Sequence, residues 1–171
     1  LLNLYFLLII VSTMIIQNSN MCSILTWNVR GIMSSAGSLT FLLDKYDVDI
    51  AVVCEHKLKL SHKDFMNTLH SSYTSNTACH NNVDSVSHCG NGGVSILYKK
   101  DLLFSIKNIE GINNEHIVGI EILRDNTLPI YLFAVYLPSV NYDFTEFTDC
   151  IAVLQSLYFR FNESGIIILS V

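Results

Sequence analysis

The sequence predicts a layered α/β domain. Short apolar runs of strand length alternate with segments whose apolar residues recur at steps of three and four. Their order is β-α-β-α, then several strands, then α-β, which is typical of helices packed on sheets. The 171 residues are 50% hydrophobic and 15% charged, so the chain can bury the core of one domain.

The first half is predicted to contain two strands and two helices. Residues 24–29 form the first strand, and Ile50–Cys54 is a five-residue apolar run typical of a strand buried on both faces. Between them, helical spacing is shown by Leu39, Leu42, Leu43 and Tyr46. Ser61 and Asp64 form a potential capping box for a second helix that contains Phe65, Met66 and Leu69.

The middle of the chain is predicted to consist of strands. Residues 70–91 are polar and form either a short exposed strand or a long loop. A strand follows at 94–98, a half-buried strand at 118–122, and a long β-type run at 130–137 that ends at Pro138. Because no helix separates these last three strands, we expect them to pair antiparallel.

The clearest helix lies near the end of the chain. Asp143 and Glu146 form its N-terminal cap signal, and Gly165 is expected to be its C-cap. One apolar face is predicted from Phe144, Phe147, Ile151, Leu154, Tyr158 and Phe161. Residues 166–169 then begin another buried strand, so we expect the domain to be incomplete at its C-terminus.

The first sixteen residues, LLNLYFLLIIVSTMII, are nearly all apolar. They are shorter than the roughly twenty residues that cross a bilayer, and no Lys or Arg precedes Arg30. We therefore interpret residues 1–20 as a leader outside the domain, translated upstream of a start at Met21, and 21–171 as the domain. The alternative is a signal or membrane anchor, which makes secretion or anchoring the minority interpretation.

Charge and cysteine content restrict the class of protein. The net charge of −5 argues against binding nucleic acid through a strong basic patch, although a bound divalent cation would supply positive charge locally. The five cysteines have no repeated spacing and are expected to be reduced thiols in an intracellular protein. Histidines 56, 62, 70 and 116 are expected at the surface or in loops.

A zinc module is one alternative function. Cys79-His80 and His88-Cys89 supply four ligands of suitable type. Directly adjacent ligands give awkward geometry, and the spacing of a compact zinc finger is absent from this part of the sequence. A polar loop is the simpler interpretation.

Three polar residues follow predicted strands: Asn28, Glu55 and Tyr136. Functional groups of layered α/β proteins collect at strand ends, where the strand fixes the side chain. A carboxylate and an amide oxygen suit Mg²⁺, and a tyrosine hydroxyl can donate to a phosphate oxygen. Alternatively, Asn28 forms a turn, Glu55 is a solvated strand end and Tyr136 is a core aromatic.

Four segments, in order, resemble the endonuclease/exonuclease/phosphatase family. They are ILTWNVRGI (24–32), DIAVVCEHKL (49–58), CGNGGVSILYKK (89–100) and FAVYLPS (133–139). Their similarity is closest to endonuclease domains of non-LTR, LINE-like retrotransposons.

The resemblance implies a four-layer fold, a β-sandwich flanked by helices. It also implies that Asn28 and Glu55 bind Mg²⁺ or Mn²⁺ and that Tyr136 contacts the scissile phosphate. Arg30 stands where apurinic-type members carry an Asp, so we expect it either to weaken metal binding or to contact a DNA phosphate. The implied protein is a nuclear monomer that binds DNA in its complete domain and no membrane.

The sequence departs from the family after residues 165–169. Family members continue there into a Gly-Asp-x-Asn segment and later a Ser-Asp-His segment, whereas this chain continues with Ser170-Val171 and has no histidine after His116. We therefore expect a truncated, metal-dependent DNA endonuclease domain that does not cleave by itself. The alternatives are a non-catalytic Cys/His metal-binding or interaction fragment, or a membrane-anchored family member that acts on a non-DNA phosphodiester.

Overall fold

The computed structural model describes residues 9–14 (backbone only), 22–79, 90–138 and 144–171. The helices are α1 (Ile32–Lys45), α2 (Phe65–Thr68) and α3 (Phe144–Phe161). The first five strands are β1 (Ile9–Met14), β2 (Cys22–Asn28), β3 (Ile50–Cys54), β4 (Tyr73–Ala78) and β5 (Val94–Lys99). The last four are β6 (Ser105–Asn108), β7 (Ile117–Leu123), β8 (Ile130–Val135) and β9 (Ile166–Ser170).

The first sheet has the strand order β1-β2-β3-β5-β4. β2 and β3 are parallel and are connected through α1, whereas β5 pairs antiparallel with both β3 and β4. All five residues of β3 are buried, which confirms the strand predicted from its apolar run. The polar stretch that begins at residue 70 contains a strand, β4, and residues 80–89 lie outside the described part of the chain.

The leader contributes backbone to this sheet. Residues 1–20 are predicted to lie outside the domain, whereas all six residues of β1 (Ile9–Met14) pair antiparallel with β2. An apolar stretch of this length can cover an open strand edge, which hydropathy alone does not distinguish from an exported segment. Among the described residues, no helix is long and apolar enough to cross a bilayer.

The second sheet has the order β6-β7-β8-β9, with β7 and β8 antiparallel and β8 and β9 parallel. The predicted antiparallel pairing is therefore correct for β7 and β8 and wrong for β5, which belongs to the first sheet. The first four residues of β5 are buried, so both faces are covered and the sequence gives no preference between the two sheets. The sequence did not predict β6, because three of its four residues are exposed and it has no apolar pattern.

Three apolar clusters show that the domain has four layers. The cluster between the sheets includes Ile50, Val52, Ile96, Ile120 and Leu132. The cluster between the first sheet and α1 includes Leu25, Val53, Leu39 and Leu43. The cluster between the second sheet and α3 includes Tyr131, Phe133 and Leu157. The predicted arrangement, a β-sandwich flanked by helices, is confirmed.

The buried face of α3 differs from the predicted one. Phe144 and Tyr158 are 65% and 55% exposed, whereas Cys150 and Leu157 are buried. The predicted face is thus partly correct: Leu154 and Phe161 pack against the second sheet, with the Phe161 ring 4.2 Å from that of Tyr131. The proposed cap residue Asp143 lies outside the described residues.

Three further local predictions are corrected. Gly165 is not a left-handed C-cap, because its φ is not positive; it lies where a Cβ would overlap the carbonyl oxygen of Pro129. The segment after Ser61 forms a 3-10 turn and the four-residue α2, with no side-chain cap hydrogen bond from Asp64. β9 is not buried: Ile166 and Leu169 are about half exposed, and within the described residues β9 pairs only with β8.

The cysteine prediction agrees with the structure where it can be compared. The thiols of Cys22, Cys54, Cys79 and Cys150 are free and buried. Burial is the largest influence on each, and it raises their pKa values, to about 11 for Cys22, Cys54 and Cys79. These thiols are therefore protonated near neutral pH and weakly nucleophilic.

Two glycine substitutions should have opposite effects on stability. Gly37 is exposed within α1, and a Cβ added there would have no atom within 4 Å, so Gly37→Ala should raise the free energy of unfolding by about 0.5–1 kcal/mol. Gly165→Ala should lower it by about 1–3 kcal/mol, because the backbone at Pro129 would have to move. Urea unfolding measures both; equal effects of the two substitutions would contradict the close packing at Gly165.

Candidate functional site

The parallel pairing of β2 with β3 brings two predicted site residues together. Asn28 lies opposite Cys54 in the register, so Asn28 and Glu55 stand at the same edge of the sheet. The Asn28 Nδ2 donates a hydrogen bond of 3.2 Å to Glu55 Oε1. The predicted meeting of these two side chains is confirmed, while their role as metal ligands stays a prediction.

The backbone around this edge is unusual. Arg30, Glu55 and Lys57 have φ values of 49°, 54° and 57°, in the left-handed region that non-glycine residues seldom occupy. Each such residue costs on the order of 1–3 kcal/mol and persists only where its surroundings hold it. Here the two loops are hydrogen-bonded to each other: Gly31 donates to the Glu55 carbonyl (2.8 Å) and Ile32 to the His56 carbonyl (3.0 Å).

Positive charge lies close to the Glu55 carboxylate. Lys57 Nζ is 3.9 Å from Glu55 Oε2, and the Lys57 side chain is 38% exposed. Asn28 Oδ1 accepts the backbone N–H of Arg30 at 3.1 Å, which fixes the orientation of the amide. Arg30 itself is exposed at the same edge. Its contact with a DNA phosphate stays a prediction.

Tyr136 reaches this edge from the second sheet, directly after β8. Burial, the charge of Glu55 and a hydrogen bond to Glu55 raise the pKa of Tyr136 from 10.0 to about 12. The phenol is therefore neutral and able to donate a hydrogen bond throughout the physiological pH range. Gly92, with φ of 55°, lies against the ring: a Cβ there would be 3.1 Å from Tyr136 Cε1.

A small cavity adjoins these side chains. Its volume is about 240 Å³. It is lined by Thr26, Asn28, Cys54, Val135, Tyr136, Leu137 and Val171. Across it, the hydroxyl oxygens of Thr26 and Ser170 are 3.0 Å apart, which joins β2 to β9. The cavity has room for one phosphate group beside Tyr136.

The donors at this edge fit a hard divalent cation. Glu55 supplies a half-buried carboxylate and Asn28 an amide oxygen, which are ligands that Mg²⁺ accepts together with several waters. An approaching cation would also be attracted by the charge of Glu55, which Lys57 balances only at 3.9 Å. In the structure Asn28 turns its Nδ2 to Glu55 and its Oδ1 to the N–H of Arg30, so a shared ion requires the amide to turn. The partial metal shell stays a prediction.

His56 lies in the loop after β3, one of the two predicted locations, but it is not at the surface: it is 1% exposed. Its Nδ1 accepts the N–H of Leu58 at 3.0 Å, and its Nε2 lies 2.9 Å from the carbonyl oxygen of Ala78. Burial lowers its pKa, so the ring is neutral and donates from Nε2. Gly93 packs on the ring, where any Cβ would overlap it. His56 thereby fixes the loop that carries Glu55.

A second group of polar side chains was not found from the sequence. His116, predicted at the surface or in a loop, lies in the turn before β7 and is 3% exposed. Its Nε2 lies 2.9 Å from Glu146 Oε1. Glu115 completes a group whose ligand atoms all lie within 4.8 Å of one another. The only sequence signal is an adjacent Glu-His pair, and nothing in the pattern connects it to Glu146 thirty residues later. The alternative zinc module of two Cys-His pairs cannot be compared with the structure, because His80, His88 and Cys89 lie outside the described residues.

Comparison with known proteins supports a single family. A family model described as "Endonuclease/Exonuclease/phosphatase family" matches residues 25–165. No curated protein matches the sequence.

Solved structures share the fold. An AP endonuclease from Leishmania major has a TM-score of 0.68 and 16% identity, covering 93% of this chain and 59% of that structure. The endonuclease domain of TRAS1, a telomere-specific non-LTR retrotransposon, has a TM-score of 0.55 and 11% identity, covering 85% and 56%. The 3′ phosphatase NExo from Neisseria, bound to a product DNA hairpin, has a TM-score of 0.58 and 16% identity, covering 85% and 55%. The chain thus spans a little over half the length of each of these structures.

The contact between Tyr136 and Glu55 predicts a change in tyrosine ionisation. Glu55→Gln removes a negative charge that opposes the phenolate, so the pKa of Tyr136 should fall from about 12 while burial keeps it above 10.0. Titration of ¹³C-labelled tyrosine by NMR, with Tyr136→Phe to assign the signal, measures this shift. Glu110→Gln, at an exposed loop position, is the charge-matched control. A pKa that does not respond to Glu55→Gln would contradict the contact.

Proposed function

Because the chain belongs to the endonuclease/exonuclease/phosphatase family, we propose that it supplies the metal-binding part of a Mg²⁺-dependent DNA endonuclease of retrotransposon origin. The family assignment rests on a match over residues 25–165. The observation that carries the proposal is the meeting of Asn28, Glu55 and Tyr136 at one edge, from strands of both sheets. From the family resemblance, we also expect the protein to act on DNA as a monomer in the nucleus.

Each side chain has a distinct part in the proposed chemistry. Asn28 and Glu55 would hold the ion, which when bound neutralises phosphate charge and polarises the phosphorus–oxygen bonds. Tyr136 would donate its hydroxyl hydrogen to a non-bridging phosphate oxygen, and its raised pKa keeps that hydrogen in place. Arg30 and Lys57 would contribute positive charge for the neighbouring phosphates along the strand.

The nucleic acid would be bound by positive charge at this edge, not by the net charge of the chain. The net charge of −5 repels a polyanion at long range. At the edge itself, Lys57, Arg30 and a bound cation would reverse the sign of the charge around Glu55. Binding through so few cations should be weak and strongly dependent on salt concentration.

Neighbouring structures support DNA as the substrate. They include an AP endonuclease, a retrotransposon endonuclease and a phosphatase bound to a DNA hairpin. The retrotransposon origin has support from the sequence resemblance and from the TRAS1 domain. At 11–16% identity these neighbours establish the fold, and their substrates enter only as support for this proposal.

We also propose that the 171 residues do not cleave DNA when they are tested alone. In the family, the resemblance assigns orientation of the attacking water to a Gly-Asp-x-Asn segment and proton transfer to a Ser-Asp-His segment, and neither occurs in this sequence. A metal shell and one phenol stabilise charge, but they do not replace the carboxylate and imidazole that accept and donate protons. These residues should therefore bind the ion without turnover.

Substitution of Glu55 tests both parts of the proposal. In the longest reading frame that contains these residues, Glu55→Gln should abolish Mg²⁺-dependent nicking of supercoiled plasmid, because the proposed carboxylate ligand loses its charge. Tyr136→Phe should lower kcat roughly 10²–10³-fold, the usual effect of losing one donor to the transition state. Glu110→Gln should leave the rate unchanged.

The 171-residue chain provides the complementary measurement. Calorimetry should detect Mg²⁺ binding that Glu55→Gln removes, with no nicking by either protein. Nicking that survives Glu55→Gln in the longer protein would refute the assigned metal ligand. Nicking by the 171 residues alone would refute their proposed inactivity.

A further inference from the structure

We propose that Glu115, His116 and Glu146 form a second metal site, one that takes a divalent transition-metal ion. The three ligand atoms lie within 4.8 Å of one another, with His116 Nε2 and Glu146 Oε1 2.9 Å apart. Two ligands on neighbouring positions of an ion with bond lengths of roughly 2.1 Å lie about 3 Å apart, so this spacing suits a shared ion. This inference does not depend on the proposed phosphodiester chemistry.

The site is built from two different layers. Glu115 and His116 directly precede β7 of the second sheet, and Glu146 lies in the first turn of α3. Asn114 Oδ1 accepts the backbone N–H of His116 at 2.8 Å, which holds the loop in place. An ion here would join the start of α3 to the edge of the sheet.

Burial and charge favour a cation at this position. His116 is 3% exposed, so its imidazole is held in a fixed orientation. The group opens into a cavity of about 550 Å³ whose charged lining includes Asp149 and Lys63 besides the two glutamates. Among the described lining residues, three carboxylates accompany one ammonium group, and this local charge attracts a divalent ion.

The donor set selects the class of ion. An imidazole nitrogen with two carboxylates suits Mn²⁺, Fe²⁺ or Zn²⁺, whereas Mg²⁺ prefers oxygen ligands alone. The two sites should therefore differ in preference: oxygen donors at Asn28 and Glu55 favour Mg²⁺, and the imidazole of His116 favours a transition metal. His116 makes this group different from a patch of acidic residues.

This second site lies next to Tyr136. The backbone N–H of Tyr136 donates to the carbonyl oxygen of His116 at 2.9 Å, and the two rings are 6.2 Å apart. An ion that fixes His116 would also fix the backbone of Tyr136. The second ion would then have a positioning role beside the first site.

The competing explanation for this contact is an ordinary ion pair between His116 and Glu146 that binds no metal. A second His–carboxylate pair in the chain serves as the control. His70 Nε2 lies 3.0 Å from Asp44 Oδ1, so this pair has the same contact. Within the described residues, the Glu115 group is the one set of three acidic, His or Cys residues that meets metal-ligand spacing. Metal binding should therefore depend on the first group and not on His70.

Manganese binding measured by EPR tests the proposal on the 171-residue chain. Mn²⁺ is chosen because thiolates bind it less well than Zn²⁺, so the cysteines interfere little. Every protein in this experiment carries Glu55→Gln, and the protein with this substitution alone is the parent. The substitution removes the proposed Mg²⁺ ligand and so separates this test from that of the proposed function. The parent should bind one Mn²⁺, and Glu115→Gln or Glu146→Gln should weaken binding at least tenfold.

Two controls complete the design. Glu163→Gln changes the net charge equally at an exposed position, and His70→Gln breaks the comparison ion pair. Both should retain the parent affinity. NMR signals of residues 114–117 and of the first turn of α3 should broaden first as Mn²⁺ is added, which reports the location without a substitution that risks folding. Absence of bound Mn²⁺ in the parent, or parent-like affinity in both glutamate variants, would overturn the proposal.

Discussion

The parallel pairing of β2 with β3 is the constraint on which the candidate site depends. The register places Asn28 opposite Cys54, so that Glu55 follows at the same edge. The hydrogen bonds continue beyond the strands, from Gly31 to Glu55 and from Ile32 to His56, and they hold the two loops side by side. Because side chains alternate between the faces of a strand, a slip of one residue would exchange the residues that face the second sheet with those that face α1. The packing on both faces of β3 therefore also fixes the position of Glu55.

The packing of the two sheets supplies the third side chain. β8 lies in the second sheet, and Tyr136 follows it at the point where the cluster between the sheets ends. Burial of the phenol next to Glu55 keeps it protonated, so the same interface that stabilises the fold also prepares the hydrogen-bond donor. His56, buried against Gly93, supports the Glu55 loop from the other side. These contacts hold the left-handed backbone at the edge, which non-glycine residues seldom adopt.

Tyr136 connects the two polar groups of the domain. Its side chain contacts Glu55, and its backbone N–H is bonded to His116, which pairs with Glu146 of α3. Tyr136 is therefore in contact with both groups. The two groups differ in ligand type, since one is made of oxygen donors and the other includes an imidazole. Their chemistry can thus be separated experimentally even though they are adjacent.

The strands and helices with strong apolar patterns, and the residues that end them, can be predicted from local sequence. The runs at β2, β3, β7 and β8 and the periodicity of α1 and α3 are local properties, and Asn28, Glu55 and Tyr136 follow strands wherever those strands lie. Tertiary structure alone decided that β5 joins the first sheet, that the backbone of β1 pairs with β2, and that α3 buries Cys150 and Leu157 rather than Phe144. It also buried His56 and His116 and brought Glu146 to His116. These outcomes depend on which strand or helix packs against which. The apolar pattern of a segment shows how much of its surface can be buried, but it does not identify the neighbouring segment.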